Sequence, residues 1–336
     1  MNANHHSIFW LRYLLLAGAA CVPSAPAAEI EHLVARDTLA ALDEVDADAR
    51  ECLAGFTWQP AEFSVAVEST PGESHDYLIR FASPIVSGNA ANDLVAVRWY
   101  APGANEQHVD SAPAVVVVHE SGGNMAAGQM IARSFRAKGL HALMVELPYY
   151  GHRRGGGLPN EPDIVTVFRQ GVADIRRTRD VAAVLPDVDS KNINLQGTSL
   201  GGLAAALAAS LDGAFDHTFL VLAGGNLHDL VNTGQRDTAK FRQRLVDLGH
   251  TEEELRSLFY QIEPTRIVHR LDPASTWLYS ARDDRVVPLR FANNLASAAR
   301  LDEAHHQVYP GNHYSVFLYF PKVLDQMVTA IEESPR

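Results

Sequence analysis

The sequence has only two cysteines in 336 residues, so a disulfide framework cannot hold the fold together. Basic residues are also scarce, since 28 Lys and Arg stand against 40 Asp and Glu, for a formal net charge of −12. An acidic chain of this kind lacks the electrostatic footprint of a nucleic-acid-binding protein. No apolar run reaches the roughly 20 residues that a membrane-spanning helix needs. We therefore expect no nucleic-acid partner and no membrane span.

The composition that remains is that of an ordinary globular protein. Apolar residues make up 47% of the chain and charged residues 20%, which excludes a disordered chain, a collagen-like fibre and a coiled coil. A chain of this length often holds two domains, yet α/β folds of this size commonly form one. The length and composition therefore predict a soluble, acidic protein with a single core and ample apolar material to build it.

Residues 1–28 have the pattern of a secretory signal peptide. A single charge, Arg12, precedes an apolar stretch over residues 13–22, and the small residues 24–28 follow. Cleavage is expected after Ala27 or Ala28. Lipid attachment at Cys21 is the alternative, but a lipoprotein signal favours a larger aliphatic residue than Gly18. We therefore predict a secreted or periplasmic protein.

The segment over residues 29–75 is predicted to be a helical and extended appendage before the main domain. Its first part, Glu29 to about Gly55, has the pattern of an acidic amphipathic helix. Strand patterns bounded by Gly, Asn, Ser and Pro clusters then follow at Phe63–Val67, Tyr77–Phe81 and Leu94–Tyr100.

Further along, the strand patterns become continuously apolar, as strands buried on both faces require. They lie at Ala114–Val118, His141–Leu147, Ile193–Leu195, Phe219–Ala223, Thr276–Ser280 and Gln307–Tyr309. Helical periodicity separates them, which indicates βαβ units and a mostly parallel sheet. The interval over residues 226–272 is too long for a simple crossover, and it contains predicted helices near Thr238–Leu248 and Thr251–Ile262. We expect this insertion to form a helical cap.

A candidate nucleophile lies in the stretch Gly197-Thr198-Ser199-Leu200-Gly201. An apolar strand precedes this Gly-x-Ser-x-Gly pattern and an Ala- and Leu-rich helix follows it. In this setting a serine is held on a strained turn with its hydroxyl at the sheet edge, and glycines are needed because the turn is so tight. The pattern predicts Ser199 as a nucleophile.

An activated serine needs a base, and the base needs an orienting carboxylate. Asp283 and Asp284 follow one predicted strand and His313 follows the last one. Loops at the carboxyl ends of parallel strands meet at the ligand-binding edge of an open sheet. The chain order Ser, Asp, His therefore predicts that Ser199 and His313 act with one of the two acids.

The negative charge that develops on a substrate carbonyl needs preorganised donors, which form an oxyanion hole. One predicted donor is the backbone N–H of Leu200, directly after the nucleophile. The other is expected in the loop after the strand Ala114–Val118, which contains His119, Glu120 and Ser121. We assign the second donor to the backbone N–H of Ser121.

From about Asp76 to the C-terminus the chain resembles the dienelactone-hydrolase-like branch of the α/β-hydrolases. The resemblance rests on residues 119–123, 147–154, 197–202 and 284–288, and on Gly311-Asn312-His313. It implies a hydrolase domain over residues 76–336, with a mainly parallel eight-stranded sheet flanked by helices, and no cofactor. It further implies Ser199 as nucleophile, His313 as base and then acid, and Asp284, four residues before Pro288, as the orienting acid.

Two positions qualify the resemblance. Ser199 stands where true dienelactone hydrolases have cysteine, so their substrate is not carried over. Glu120 corresponds to a glutamate whose role in that group is tied to the cysteine, so a structural role is expected here. Tyr149 and Tyr150 are predicted to line the substrate pocket, together with the insertion.

Three functions are compatible with these patterns. The leading hypothesis is a serine esterase acting on a small-molecule or polymer-attached ester. The alternatives are an amide or peptide hydrolase with the same residues, and a catalytically silent binding module. A metal site is not predicted, because His305 and His306 begin a strand whose successive side chains point to opposite faces, and His119-Glu120 lacks the second histidine of the zinc-protease motif.

Overall fold

The computed structural model describes residues 29–40, 43–103, 111–155 and 163–333. The predicted signal peptide over residues 1–28, with Cys21, lies outside the described residues. Among the described residues, no helix is long and apolar enough to cross a membrane.

One large sheet forms the centre of the molecule. Within the described residues it has ten strands, namely β1 Ile30–Arg36, β2 Glu62–Ser69, β3 Tyr77–Ala82, β4 Leu94–Tyr100, β5 Ala112–Val118, β6 His141–Val145, β7 Val188–Thr198, β8 Thr218–Val221, β9 Thr276–Ala281 and β10 His306–Tyr309. Their spatial order is β1-β2-β3-β4-β6-β5-β7-β8-β9-β10. Strands β1 to β4 and the β4–β6 pair are antiparallel, whereas the six strands from β6 to β10 pair in parallel.

Ten α-helices accompany this sheet in the described part of the chain. They are α1 Ala47–Ala54, α2 Ala90–Asp93, α3 Ala126–Ala137, α4 Ile164–Ala182, α5 Leu200–Asp212, α6 Leu227–Thr233, α7 Asp237–Asp247, α8 Glu252–Gln261, α9 Leu289–Ala298 and α10 Phe320–Glu332. Short 3₁₀ helices cover Gly151–Arg153, Pro264–Arg266, Val268–Arg270, Pro273–Ser275 and Ser315–Tyr319.

The helices bury both faces of the sheet. In β5, Val116 belongs to an apolar cluster with residues of α4, α5 and α9, whereas Val115 and Val117 belong to a second cluster with residues of α3 and α10. Successive side chains of a strand point to opposite faces, so a strand covered on both faces must be apolar throughout. The predicted parallel sheet between helical layers is therefore confirmed.

Two expectations about the sheet and its N-terminal side are wrong in detail. The described sheet has ten strands rather than eight, because β1 and β2 extend it. The predicted helix from Glu29 to Gly55 is instead β1 followed by α1. The apolar spacing of this segment also fits a strand, since Leu33 and Ala35 point inward at a period of two, and antiparallel pairing with β2 selects the extended form.

The insertion contains α6, α7 and α8, and the last two correspond to the two predicted helices. Helix α8 begins with a capping box in which Thr251 and Glu254 bond each other's backbone N–H groups. The C-terminal part of the insertion is attached to α1, because Arg266 donates hydrogen bonds to both carboxylate oxygens of Asp48, at 2.9 and 2.7 Å. The N-terminal segment therefore packs directly against the insertion.

Candidate active site

Ser199 occupies a strained turn between β7 and α5. Its φ of 53° and ψ of −114° are unusual for a residue with a side chain. Its backbone N–H donates to the carbonyl of Val221 on the neighbouring strand at 2.8 Å. The surrounding structure thus holds the residue in a conformation that costs on the order of 1–3 kcal/mol. Such strain is typical of functional positions.

The glycines on either side make this turn possible. A side chain at Gly197 would meet the carbonyl oxygen of Gly201 at 2.3 Å, and one at Gly201 would meet the carbonyl oxygens of Val118 and His119 at 2.3 and 2.5 Å. Real Cβ atoms do not approach backbone atoms this closely, so only glycine fits at either position. The same close approach places the beginning of α5 against the end of β5.

The structure brings Ser199 and His313 together, although 114 residues separate them. The hydroxyl of Ser199 lies 3.1 Å from Nε2 of His313, and Nδ1 of His313 donates to Oδ2 of Asp284 at 2.6 Å. All three residues are at least nine-tenths buried. Because the carboxylate accepts at Nδ1, Nε2 is left as an acceptor for the serine proton. This is the geometry of a nucleophile, a base and an orienting acid.

Asp284 and Asp283 differ sharply in surroundings. The second oxygen of Asp284, Oδ1, accepts the backbone N–H groups of Val286 and Val287 at 2.8 and 2.9 Å. Asp283 is exposed, and among the described residues only its backbone N–H is bonded, to the carbonyl of Gly311 at 2.9 Å. The loop therefore directs the first of these carboxylates to His313 and the other to solvent.

The predicted oxyanion loop follows β5 at the same end of the sheet. Its Ser121 is exposed, and Leu200 is the first residue of α5. Glu120 accepts the backbone N–H groups of Ala127 and Gly128 at 3.1 and 3.0 Å, at the start of α3. A carboxylate at this position accepts hydrogen bonds from N–H groups that have no partner within the helix, and it interacts favourably with the positive end of the helix dipole. Glu120 therefore has the structural contacts that the sequence analysis expected.

His119 is fully buried beside this loop. Its Nδ1 lies 2.6 Å from the carbonyl oxygen of Glu120, and its Nε2 accepts the backbone N–H of Leu147 at 3.1 Å. Burial lowers the pKa of His119, because a charged imidazole would lose its hydration. The side chain thus links the loop after β5 to the loop after β6.

The stretch 147–154 forms that second loop. Tyr149 is buried with a φ of 67°, and its backbone N–H donates to Asn92 at 3.0 Å. Tyr150 donates from its hydroxyl to the carbonyl oxygen of Ser121 at 3.1 Å, and its ring contacts the imidazole of His119 edge-on with centroids 4.6 Å apart. The two tyrosines are thus held differently, the first through its backbone and the second through its hydroxyl.

A buried ion pair supports this loop from below. Arg153 and Asp174 are both fully buried, and a guanidinium N–H donates to the carboxylate at 2.8 Å. Three further guanidinium N–H groups donate to the carbonyl oxygens of Asn92 and Glu146. These hydrogen bonds hold the guanidinium against two backbone carbonyl groups and one carboxylate.

The insertion contacts the histidine loop through residues that the sequence analysis missed. The hydroxyl of Tyr314, next to His313, donates to Asp237 at 2.7 Å, and this bond lowers the pKa of the Asp237 carboxyl. The guanidinium of Arg236 lies 5.4 Å from the centre of the Tyr314 ring. Backbone contacts also tie the insertion to the loop of Asp284, since Gln235 donates to the carbonyl of Arg285 at 2.7 Å. No short-range motif marks these contacts.

Within the described residues, no group of three His, Cys, Asp or Glu side chains is placed to share a metal ion. The candidate site consists of a hydroxyl, an imidazole and a carboxylate joined by hydrogen bonds.

The sheet, its two helical layers and the serine turn between β7 and α5 define an α/β-hydrolase fold. The chain is similar in structure to acetyl xylan esterase 1 from Thermoanaerobacterium sp. JW/SL YS485, with a TM-score of 0.62 and 14% sequence identity over 88% of this chain and 96% of that one. It is also similar to an acetyl xylan esterase from Paenibacillus sp. R4, with a TM-score of 0.59 and 17% identity over 87% of this chain and 96% of that one.

A third similar structure is a 2,6-dihydroxy-pseudo-oxynicotine hydrolase, with a TM-score of 0.52 and 16% identity over 74% of this chain and 66% of that one. Neither the family models nor the curated proteins with which the sequence was compared give a match. At such identities the structural similarity establishes the fold, and function must be argued from the site.

Proposed function

We propose that the protein is a serine hydrolase that cleaves carboxylic esters through an acyl-enzyme on Ser199. The observation that carries this proposal is the continuous hydrogen-bonded chain from the Ser199 hydroxyl through His313 to Asp284, with contacts of 3.1 and 2.6 Å. The strain at Ser199 supports it, since strained backbone conformations of this kind cluster at active sites.

In the acylation step, Oγ of Ser199 forms a bond to the ester carbonyl carbon while Nε2 of His313 takes the hydroxyl proton. The carbonyl electron pair moves to its oxygen, and the backbone N–H groups of Leu200 and Ser121 stabilise the resulting oxyanion. When the C–O bond to the alcohol breaks, His313 returns the proton to the leaving oxygen. Asp284 holds the imidazole in the tautomer that accepts at Nε2 and stabilises its charged form.

In the deacylation step, water replaces the alcohol. His313 takes a proton from the water, and the water oxygen bonds to the acyl carbon. The bond between the acyl carbon and Oγ of Ser199 then breaks as His313 returns the proton to Oγ. The products are a carboxylic acid and a regenerated enzyme, so one water is consumed for each ester cleaved. No cofactor enters this scheme.

The proposed substrate is a small-molecule or polymer-attached ester. It would bind beside Tyr149 and Tyr150, with the insertion covering the pocket as a cap. The acetyl xylan esterases with the same fold make acetylated sugars a reasonable first test, in addition to simple esters. We also propose that the chain is a secreted or periplasmic enzyme of the dienelactone-hydrolase-like type, on the basis of the leader pattern and the motifs.

The decisive experiment combines labelling with turnover. The purified protein is treated with a fluorophosphonate probe, digested, and the modified peptide is identified by mass spectrometry. It is then assayed on p-nitrophenyl esters of increasing acyl length, acetylated and feruloylated sugars, and aminoacyl anilides. We expect labelling at Ser199 and faster turnover of esters than of anilides. Faster anilide cleavage would make it an amidase, and no labelling or turnover would indicate a silent binding module.

A further inference from the structure

Two consecutive peptide groups of the loop after β5 each have their carbonyl oxygen bound by a side chain. Nδ1 of His119 contacts the carbonyl oxygen of Glu120 at 2.6 Å, and the hydroxyl of Tyr150 donates to the carbonyl oxygen of Ser121 at 3.1 Å. The two side chains also contact each other through their rings, edge to face. Together they support the loop, with the His119 side chain buried and the Tyr150 side chain half-buried.

The surroundings of His119 determine its protonation. A carbonyl oxygen can only accept, so Nδ1 carries the proton, and Nε2 must be unprotonated because it faces the backbone N–H of Leu147 at 3.1 Å. A second proton on the ring would place two donors face to face. The lowered pKa of His119, caused by burial, agrees with this neutral state.

These contacts set the direction of the N–H groups in the loop. In a trans peptide the C=O and the following N–H point in opposite directions. Because the carbonyl of Glu120 points toward the imidazole of His119, the N–H of Ser121 points away from it. Within the described residues, the Ser121 and Gly122 N–H groups have no hydrogen-bond acceptor. Two donors at this edge of the sheet are therefore available to a ligand.

We propose that His119 and Tyr150 are positioning residues. They aim the backbone N–H of Ser121 at the substrate oxyanion that forms when Ser199 attacks the ester carbonyl. The inference rests on the proposed function and deepens it. Preorganisation matters because a donor that is already aimed needs no reordering when charge develops, whereas a loose loop must be ordered in the transition state. Loss of either support should therefore slow the chemical step without weakening ground-state binding.

Tyr150→Phe tests the support from the hydroxyl, since it keeps the ring against His119 and removes only the hydrogen bond to Ser121. We expect kcat to fall about tenfold with KM unchanged, a fraction of the 10²–10³-fold lost when an oxyanion donor is deleted outright. Inhibition by a trifluoromethyl ketone, whose adduct with serine carries an oxyanion, should weaken by the same factor. Tyr309→Phe is the matched control, because it loses a 2.7 Å hydroxyl bond to Gln307. It should keep the wild-type kcat.

A pair of substitutions tests His119. His119→Asn places an amide N–H where Nδ1 was and loses the acceptor for Leu147, whereas His119→Gln places an amide oxygen near Nε2 and loses the donor to Glu120. Both remove the ring, so their thermal stabilities should be similarly lowered. We expect the asparagine variant to retain at least several-fold more kcat than the glutamine variant.

The outcomes separate this inference from the proposed function. If wild-type protein neither turns over esters nor labels at Ser199, the proposed function fails. If the wild type is active and Tyr150→Phe keeps its kcat and its trifluoromethyl ketone affinity, the positioning role is wrong. A rise in KM with unchanged kcat would instead show that the Tyr150 hydroxyl binds substrate rather than positions the loop, and would equally overturn the inference. Equal kcat in the two His119 variants would show that His119 does not position the loop.

Discussion

Nδ1 of His313 donates to one oxygen of Asp284 at 2.6 Å, while the other oxygen of the same carboxylate accepts two backbone N–H groups from its own loop. The carboxylate is thus fixed from both sides before any substrate arrives. The imidazole is thereby oriented with Nδ1 toward Asp284 and Nε2 toward Ser199. The adjacent Asp283, exposed and without such contacts, provides a natural control.

Asp284→Asn should nearly abolish turnover, whereas Asp283→Asn should resemble the wild type. Removing the partner of the histidine leaves the wrong tautomer and costs up to about 10⁴-fold in kcat in serine proteases. An exposed charge contributes only about 0–1 kcal/mol. Steady-state kinetics on a p-nitrophenyl ester would measure both. The reverse pattern would move the orienting role to Asp283, and two mild losses would send the search to another loop.

Ser199→Ala should keep the fold and lose at least about 10³-fold in kcat, because the reaction loses its nucleophile. Circular dichroism and a thermal melt would confirm folding, and the same ester assay would measure the rate. His313→Ala should behave alike. A Ser199→Ala protein that keeps a tenth of the wild-type rate would show that the nucleophile lies elsewhere.

Replacing residues 239–249 with a short Gly/Ser turn should change substrate selectivity while leaving Ser199 reactive to a small fluorophosphonate. This removes most of α7, whose buried contribution is Leu245, and keeps Thr238, which donates to the carbonyl of Val286 at 2.8 Å. Relative kcat/KM values for short and bulky esters would reveal the effect. A folded variant that no longer labels would contradict a cap role for the insertion.

Acidification should destabilise the fold below about pH 6.5, the ordinary pKa of histidine. Burial lowers the pKa of five histidines, namely His75, His119, His141, His217 and His306. The unfolded chain therefore binds more protons than the folded one as the pH falls below this value. Stability is fully present above about pH 6.5 and is lost as the pH falls toward the lowered pKa values.

Thermal melts from pH 8 to pH 5 would measure this loss, and His75→Leu offers a specific check. Both ring nitrogens of His75 are buried without a hydrogen-bond partner among the described residues. The leucine variant removes one titrating group, so its melting temperature should fall less over the same interval. An identical pH dependence in wild type and variant would exclude His75 as a contributor.

Arg153→Met should lower the free energy of unfolding by about 3–5 kcal/mol, because it leaves the fully buried Asp174 without its partner. The neighbouring Arg154 is exposed, and within the described ranges it donates only to the carbonyl of Gly123, at 3.0 Å. Arg154→Met should therefore change stability by less than about 1 kcal/mol. Urea unfolding would compare the two, and equal losses would show that the buried ion pair does not stabilise the fold.

Features formed by neighbouring residues could be predicted from the sequence. The serine turn is one, since Gly197, Ser199 and Gly201 must be close in sequence for so tight a turn to form. The strands are another, because burial on both faces demands a continuous apolar run, and β5 ends at the predicted Val118. The capping box of Thr251 and Glu254 is likewise a local pattern.

The tertiary structure decided what depends on distant parts of the chain. The residues over 30–36 fit both a helix and a strand, and pairing with β2 selects the strand. The contact of Tyr314 with Asp237 joins residues 77 apart, which no periodicity records. The resemblance favoured Asp284 over Asp283 by its distance from Pro288, but the physical reason lies in the folded loop. The N–H groups of residues 286 and 287 hold one carboxylate toward His313, while the other stays in water.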